Sequence, residues 1–210
     1  ILKRNKIFNR EESQKALENR KINISLNTTV QEVSEEKISI LTNSEIKHLN
    51  KDIVIWTAGV KPNLSFLDED FPRINERILV NNKFQIKNKN NCFAIGDIAL
   101  IKGKEDLPLT AQVAMQQGNH LAKNIELLIQ GKDQLPFEFK DNGEMISLGL
   151  GKASISGLGL TLSGKLAFEV RRLIYASKLP DIRKSLKSTA LWMLQKKSIA
   201  KDFSKRNNRN

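Results

Sequence analysis

Two short segments of the chain carry groups that could bind a polar ligand together. Asp97 follows Gly96 after an apolar run at residues 92–95, a pattern that predicts a buried strand ending in a Gly-Asp turn. Open α/β sheets bind ligands at the carboxyl ends of their strands, where this carboxylate would lie. Further along, Thr110 predicts the N-cap of an amphipathic helix over residues 110–130. The two segments would therefore bring a carboxylate acceptor and several free backbone N–H donors to one pocket.

Such a pocket has the chemistry that a flavin requires. The ribityl hydroxyls need an acceptor, and the ring edge, which becomes anionic on reduction, is stabilised by the positive end of a helix. The Gly-rich stretch at residues 156–164 is not a phosphate-binding loop, because it lacks a Gly-Lys-Thr/Ser ending and the flanking strand and helix. The two segments therefore favour a flavin site, and the Gly-rich stretch does not favour a phosphate-binding loop.

Two motifs at these positions resemble a known family. Phe-Ala-Ile-Gly-Asp at residues 93–97 resembles the second FAD motif of flavoproteins with two dinucleotide-binding domains. Ala-Gln-Val-Ala-Met-Gln at residues 111–116 resembles the flavin-and-quinone motif of the type II NAD(P)H:quinone oxidoreductases, within the pyridine nucleotide-disulfide oxidoreductase superfamily. The segments at 156–160, 171–173 and 179–180 resemble most the branch that reduces demethylphylloquinone and related naphthoquinones in photosynthetic organisms. The match covers almost the whole chain but only the C-terminal half or so of such an enzyme.

The resemblance implies an α/β fold: the C-terminal part of a Rossmann-like flavoprotein with two dinucleotide-binding domains, a small C-terminal sheet and amphipathic helices. Residues 1–58 would complete the NAD(P)H-binding domain, 59–131 the FAD-binding domain, and 132–210 a domain at the membrane surface and the quinone side. The family also has two Gly-x-Gly-x-x-Gly loops, both before the point where this chain starts, at Ile1 rather than Met. Whether the isolated chain is active, or needs the missing half supplied separately, is left open.

The resemblance also assigns residues to the site. FAD and the nicotinamide ring of NADH or NADPH, which the sequence does not distinguish, would contact Gly96, Asp97, Ala111, Gln112, Val113, Ala58, Gly59 and Val60. A membrane quinone would meet Gln112 and Gln116. The flavin would carry the chemistry, taking a hydride from NAD(P)H and reducing the quinone, so no catalytic side chain is assigned.

The elements around these residues follow from local patterns. Residues 9–20 predict a helix, residues 28–48 an antiparallel meander, and residues 52–56 a continuous apolar strand of the kind buried in a parallel sheet. A small C-terminal sheet is predicted from three further runs, 137–139, 145–148 and 152–155. The single cysteine, Cys92, is interpreted as a small buried strand residue. One cysteine excludes a disulfide framework, and it argues against the disulfide and sulfide:quinone reductases of the superfamily, which need paired cysteines.

The charge of the chain is concentrated at its C-terminal end. The formal net charge is +12, and residues 165–210, here called the basic tail, hold 13 Lys/Arg and 3 Asp/Glu, or +10 of it. Two amphipathic helices are predicted in the tail, at 165–178 and 181–203, with apolar residues opposite lysines and arginines. That pattern is typical of helices that lie in a membrane surface, and equally of helices packed on a protein body with a solvated basic face.

The tail keeps other functions open. No run of the roughly 18–20 apolar residues that span a bilayer is present, so we expect a peripheral protein on the cytoplasmic side of an anionic membrane, with thylakoid and plasma membrane both left open. A non-catalytic basic module that binds the membrane, an incomplete remnant of the enzyme, is the alternative. Nucleic-acid binding is disfavoured because no nucleic-acid motif accompanies the charge. Whether the protein forms a homodimer is also left open.

Overall fold

The chain is organised as two compact units. A computed structural model describes residues 2, 4–67, 71–89, 91–181 and 183–192. The first unit joins Ile1–Asp52 to Asp141–Asn210, and the second unit is Ile53–Lys140. Gly96, Asp97 and the predicted helix after Thr110 all belong to the second unit, so the candidate pocket is built within one compact body.

The first unit begins with a helix and an antiparallel meander. These elements are α1 (Ile7–Glu18), β1 (Thr28–Val33), β2 (Lys37–Thr42) and β3 (Glu45–Asn50). Between β2 and β3, Asn43 and Ser44 take φ values of 49° and 68°, the left-handed pair that a two-residue hairpin turn requires. The helix and the meander are both where the sequence predicts them.

A carboxylate holds the start of α1 in place. Glu144 Oε2 accepts hydrogen bonds from the Lys6 backbone N–H at 3.0 Å and from Asn9 Nδ2 at 3.2 Å. Negative charge at this end of a helix is favourable because it faces the positive end of the helix dipole. Beside it, the Gly143 N–H and then the Lys6 ammonium, 3.0 Å away, hold the pKa of the Asp141 carboxyl below its ordinary value.

A small sheet and two helices complete the first unit. They are β7 (Glu144–Ser147), β8 (Ala153–Gly157), β9 (Leu160–Ser163), α3 (Gly164–Ser177) and a further helical stretch, α4, at residues 183–192. The Arg172 guanidinium lies 4.8 Å from the Trp192 ring and 5.6 Å from the Phe168 ring, so cation–π contacts connect α3 to α4. The two tail helices are thus confirmed as far as residue 192; the predicted continuation over 193–203 lies outside the described residues.

The second unit contains a parallel strand pair and one long helix that contacts the turn between them. Its elements are β4 (Arg73–Ile74), β5 (Arg77–Val80), a 3₁₀ turn (Gly96–Ile98), β6 (Ala99–Ile101) and α2 (Ala111–Ile129). β5 and β6 pair in parallel, with Ile78 opposite Ala99 and Val80 opposite Ile101. All four side chains are buried in a core that also contains Phe84 and Phe137. The predicted α/β class is confirmed.

The predicted strand at residues 92–95 is wrong in detail. The segment pairs with residues 84–86 through a single bridge, in which Ile86 N–H donates to the Cys92 carbonyl and Ala94 N–H to the Phe84 carbonyl. One bridge is too short to form a regular strand. Cys92, at the start of the segment, is exposed and not buried as predicted. The regular strand lies after the Gly-Asp turn, in β6, instead of before it.

Two other predicted strands are also absent from the described residues. Residues 52–56 are extended without strand partners, and Ile53, Ile55 and Trp56 are 81%, 82% and 63% exposed. A parallel strand forms only beside a neighbouring strand, and none of the described residues pairs with this segment. Residues 137–139 are held differently: Phe137 N–H donates to the Asn82 carbonyl at 2.8 Å, and the Phe137 ring is buried.

Candidate functional site

The Gly-Asp turn presents a carboxylate at the surface. Gly96 has a φ of +73°, a left-handed conformation that favours glycine, and it opens the 3₁₀ turn after residue 95. Asp97 is exposed, and it has no hydrogen bond or ion pair within the part of the chain that the structure describes. Its two carboxylate oxygens are therefore available to accept hydrogen bonds from a ligand.

The first turn of α2 supplies donors on the other side. The Thr110 side chain accepts from Val113 N–H at 3.4 Å, which makes it the predicted N-cap. The Ala111 N–H has no acceptor among the described residues. Because the first N–H groups of a helix point outward and carry the positive end of its dipole, this end attracts an anionic or electron-rich group.

A small concavity lies between the turn and the helix. Of the predicted site residues, Gly96, Asp97 and Val113 line it, together with Arg77 and Lys104. Its volume, about 10 Å³, is enough for roughly one water molecule. The second unit therefore does not enclose a large ring at this concavity.

One buried side chain that the motifs do not include joins the two walls. Gln117 Oε1 accepts a hydrogen bond from Gly96 N–H at 2.6 Å, and Gln117 is only 3% exposed. Sequence reasoning missed it, although one signal was present: Gln117 interrupts the apolar stripe of α2 one turn after the buried Val113. A polar residue in a buried stripe needs a partner, and here the partner is the Gly-Asp turn.

Gln116 already has partners in the structure. Its Nε2 donates to the Lys140 carbonyl at 2.8 Å, and its Oε1 accepts from Lys140 N–H at 3.0 Å. One turn later His120 Nε2 donates to the Leu135 carbonyl at 2.9 Å. A further turn on, the fully buried Asn124 makes two hydrogen bonds to the Leu135 backbone. This face of α2 thus holds the extended segment 135–140 against the helix.

The remaining predicted residues lie outside the concavity. Ala58, Gly59 and Val60 form an exposed bend in which Gly59 has a φ of +86°. A Cβ added to Gly59 would meet no atom within 4 Å, so conformation, and not crowding within this chain, requires glycine here. Gln112 is half-buried in the first turn of α2. The structure brings together the turn and the helix start, and leaves residues 58–60 on a separate exposed segment.

The groups at the concavity match one edge of a flavin. A flavin presents hydroxyl donors on its ribityl chain and electron-rich acceptors on its ring edge. Asp97, which lines the concavity, offers the complementary acceptor. The Ala111 N–H, in the first turn of α2 but outside the lining of the concavity, offers a complementary donor at the positive helix end. The donor set of these residues therefore fits the cofactor that the motifs indicate.

Comparison with known proteins identifies the family. The sequence model of the pyridine nucleotide-disulphide oxidoreductase family matches residues 3–118, which include both motifs and the residues that line the concavity. The chain belongs to this family.

Its curated relatives reduce quinones, as their names state. The chain is 31% identical over 191 residues to the demethylphylloquinone reductase of Synechocystis, covering 89% of this chain and 47% of that protein. It is 32% identical over 206 residues to the alternative NAD(P)H-ubiquinone oxidoreductase C1 of Arabidopsis thaliana, covering 88% and 40%. A type II NADH:quinone oxidoreductase of Staphylococcus aureus is 32% identical over 162 residues, covering 75% and 40%. The chain thus spans less than half the length of these relatives.

Solved structures agree in fold. NDH2 from Plasmodium falciparum, determined with NADH, has a TM-score of 0.77 at 16% identity and covers 91% of this chain and 55% of its own. The sulfide:quinone oxidoreductase of Aquifex aeolicus has a TM-score of 0.63 at 18% identity, covering 82% and 44%. The predicted relationship to the type II quinone oxidoreductases and the predicted fold class are confirmed, as are FAD and a nicotinamide nucleotide as the cofactors of the family.

Proposed function

We propose that this chain is the C-terminal portion of an FAD-dependent NAD(P)H:quinone oxidoreductase that does not pump protons. FAD, when bound, would supply the redox chemistry, accepting a hydride from NADH or NADPH and reducing a membrane quinone. The observation that carries the proposal is the unpartnered Asp97 carboxylate facing the start of α2 across one concavity, in a chain of this family. The alternative, a non-catalytic membrane-binding remnant, gives no role to the Asp97 carboxylate and the start of α2.

The flavin would be held by the turn and the helix start. Gly96 allows close approach of the backbone, and Asp97 accepts from the ribityl hydroxyls. Ala111, Gln112 and Val113 form the first turn of α2, whose positive end stabilises negative charge on the ring. These residues bind and orient the cofactor, and none of them exchanges a proton.

The nicotinamide ring would approach at residues 58–60. Small side chains and a glycine with φ of +86° leave the backbone open on this segment. Val60 is 71% exposed and would cover one face of the ring. From the membership of the family we also propose that residues 1–58 complete the NAD(P)H-binding domain and residues 59–131 the FAD-binding domain.

The quinone would meet Gln112 and Gln116. Gln116 can reach it only by giving up its two hydrogen bonds with the Lys140 backbone, each worth about 0.5–1.5 kcal/mol. Gln112, in the first turn of the helix, lies nearer to the flavin-binding end. We expect both glutamines to contribute to quinone binding.

The basic tail would hold the protein on an anionic membrane surface. Leu166 and Leu173 lie seven residues apart on α3 and are 64% and 55% exposed, and the tail carries a net charge of +10. Exposed apolar side chains beside lysines and arginines suit an interfacial helix. None of the described helices is long and apolar enough to cross a bilayer. Residues 132–210 would then form the quinone-side domain of a peripheral protein on the cytoplasmic face.

The proposal is tested on the full-length protein. Purified protein should show the visible absorbance of bound flavin, and it should oxidise NADH or NADPH only when a soluble quinone is supplied. Flavin absorbance without quinone-dependent turnover would refute the quinone as substrate. Membrane binding without any flavin would favour the non-catalytic alternative.

A further inference from the structure

We propose that Gln117 is a positioning residue that sets the direction of the Asp97 carboxylate. The inference rests on the proposed flavin site, and the residue lies outside the motif at 111–116. Its evidence is the hydrogen bond of 2.6 Å from Gly96 N–H to Gln117 Oε1, between the two walls of the concavity. Gln117 lines the concavity from α2, whereas Gly96 and Asp97 line it from the turn.

The hydrogen bond satisfies a backbone N–H that has no other partner among the described residues. Gly96 is the first residue of a three-residue 3₁₀ turn, and the first N–H groups of a helical turn lack acceptors within it. In a buried setting an unpaired N–H is costly, so the turn keeps its geometry only while an acceptor is present. Gln117 is therefore needed where a leucine would otherwise continue the apolar stripe.

The bond also fixes where the carboxylate points. Asp97 follows Gly96 directly, so its backbone orientation depends on the left-handed Gly96, whose φ is +73°. The turn also lies close to α2, because a Cβ built on Gly96 would lie at van der Waals distance, 3.8 Å, from the Ala114 Cβ. Ala114 and Gln117 are three residues apart on the helix, so one face of α2 supplies both the packing surface and the acceptor.

Gln117 also links the carboxylate to the other half of the site. The acceptor belongs to the second turn of the same helix whose first turn carries the Ala111 N–H. A flavin that bridges Asp97 and the helix start would therefore meet two groups held at a fixed separation by a bond within the protein. Preorganisation of this kind raises affinity because the site is ordered before the ligand binds.

The test compares three variants of the full-length protein. Gln117→Met has a similar volume and no oxygen, so it should weaken FAD binding about tenfold or more and shift the flavin absorbance band. Gln117→Glu keeps an acceptor for Gly96 N–H and should restore both readouts. The control is Asn124→Leu, which removes two hydrogen bonds between α2 and the Leu135 backbone, away from the turn. It should lower the melting temperature while leaving FAD affinity within about twofold.

Each outcome supports or overturns the positioning role of Gln117. Equal FAD affinity in wild type and Gln117→Met, or an equal loss in Gln117→Met and Asn124→Leu, would overturn the positioning role while the proposed function stands. A Gln117→Glu variant that binds FAD no better than Gln117→Met would also overturn it. Wild-type protein that binds no flavin would refute the proposed function, and the positioning role with it. Hydrogen exchange at the Gly96 amide checks the bond itself, and it should accelerate in Gln117→Met alone.

Discussion

Asp97→Ala should cost the protein most of its flavin affinity and almost none of its stability. The side chain is exposed and has no partner within the described residues, so removing it breaks no bond in the fold. A hydrogen bond to a charged group contributes about 1.5–3 kcal/mol. At 1.4 kcal/mol for each factor of ten, FAD should bind about 10- to 100-fold more weakly.

The assay separates binding from folding. FAD is titrated into apoprotein and followed by the loss of its fluorescence, and melting temperatures are measured on the same samples. Asp106→Ala, which removes an exposed carboxylate outside the concavity, is the matched control. If Asp97→Ala binds FAD as tightly as wild type does, the carboxylate is not a flavin ligand, and the assignment of the Gly-Asp turn fails. A parallel fall in melting temperature would instead mean that Asp97 supports the fold.

Three further predictions follow from the site, the tail and the first unit. Gln112→Ala and Gln116→Ala should each slow quinone reduction more than flavin reduction by NAD(P)H; stopped-flow traces showing wild-type rates in both half-reactions would contradict the quinone site. Deletion of residues 181–210 should release the protein from anionic liposomes but keep its flavin, because lysines near the surface contribute roughly 1 kcal/mol each; equal co-sedimentation of both forms would rule out the membrane role. The pKa of Asp141 is lowered, chiefly by the Gly143 N–H, so its contribution to stability is present above its ordinary pKa of 3.8 and is lost as pH falls through the lower folded value. In Asp141→Asn, the urea concentration at the unfolding midpoint should therefore fall less steeply as the pH is lowered through the acidic range. If the midpoint depends on pH as it does in the wild type, this carboxylate does not contribute to stability.

Several features of the protein follow from short stretches of sequence. The N-cap at Thr110, the length of α2 and the meander at residues 28–50 all depend on neighbours within a few positions. Capping, turn conformation and hairpin pairing are local, so residue type and spacing are enough to predict them. The two motifs are also short, local stretches of sequence, and they indicate the family that the comparison with known proteins identifies.

Other features were decided only by the tertiary structure. The sequence does not reveal that Gln117 accepts from Gly96, twenty-one positions away, or that Gln116 pairs with the Lys140 backbone. Nor does it reveal that residues 52–56 have no strand partner among the described residues, or that Cys92 is exposed. The residue type of a glutamine does not show whether its amide binds a ligand or a backbone group. An apolar run becomes a strand only when another strand lies beside it. Those outcomes depend on which distant segments meet, and that is a property of the packed chain and not of any one stretch of it.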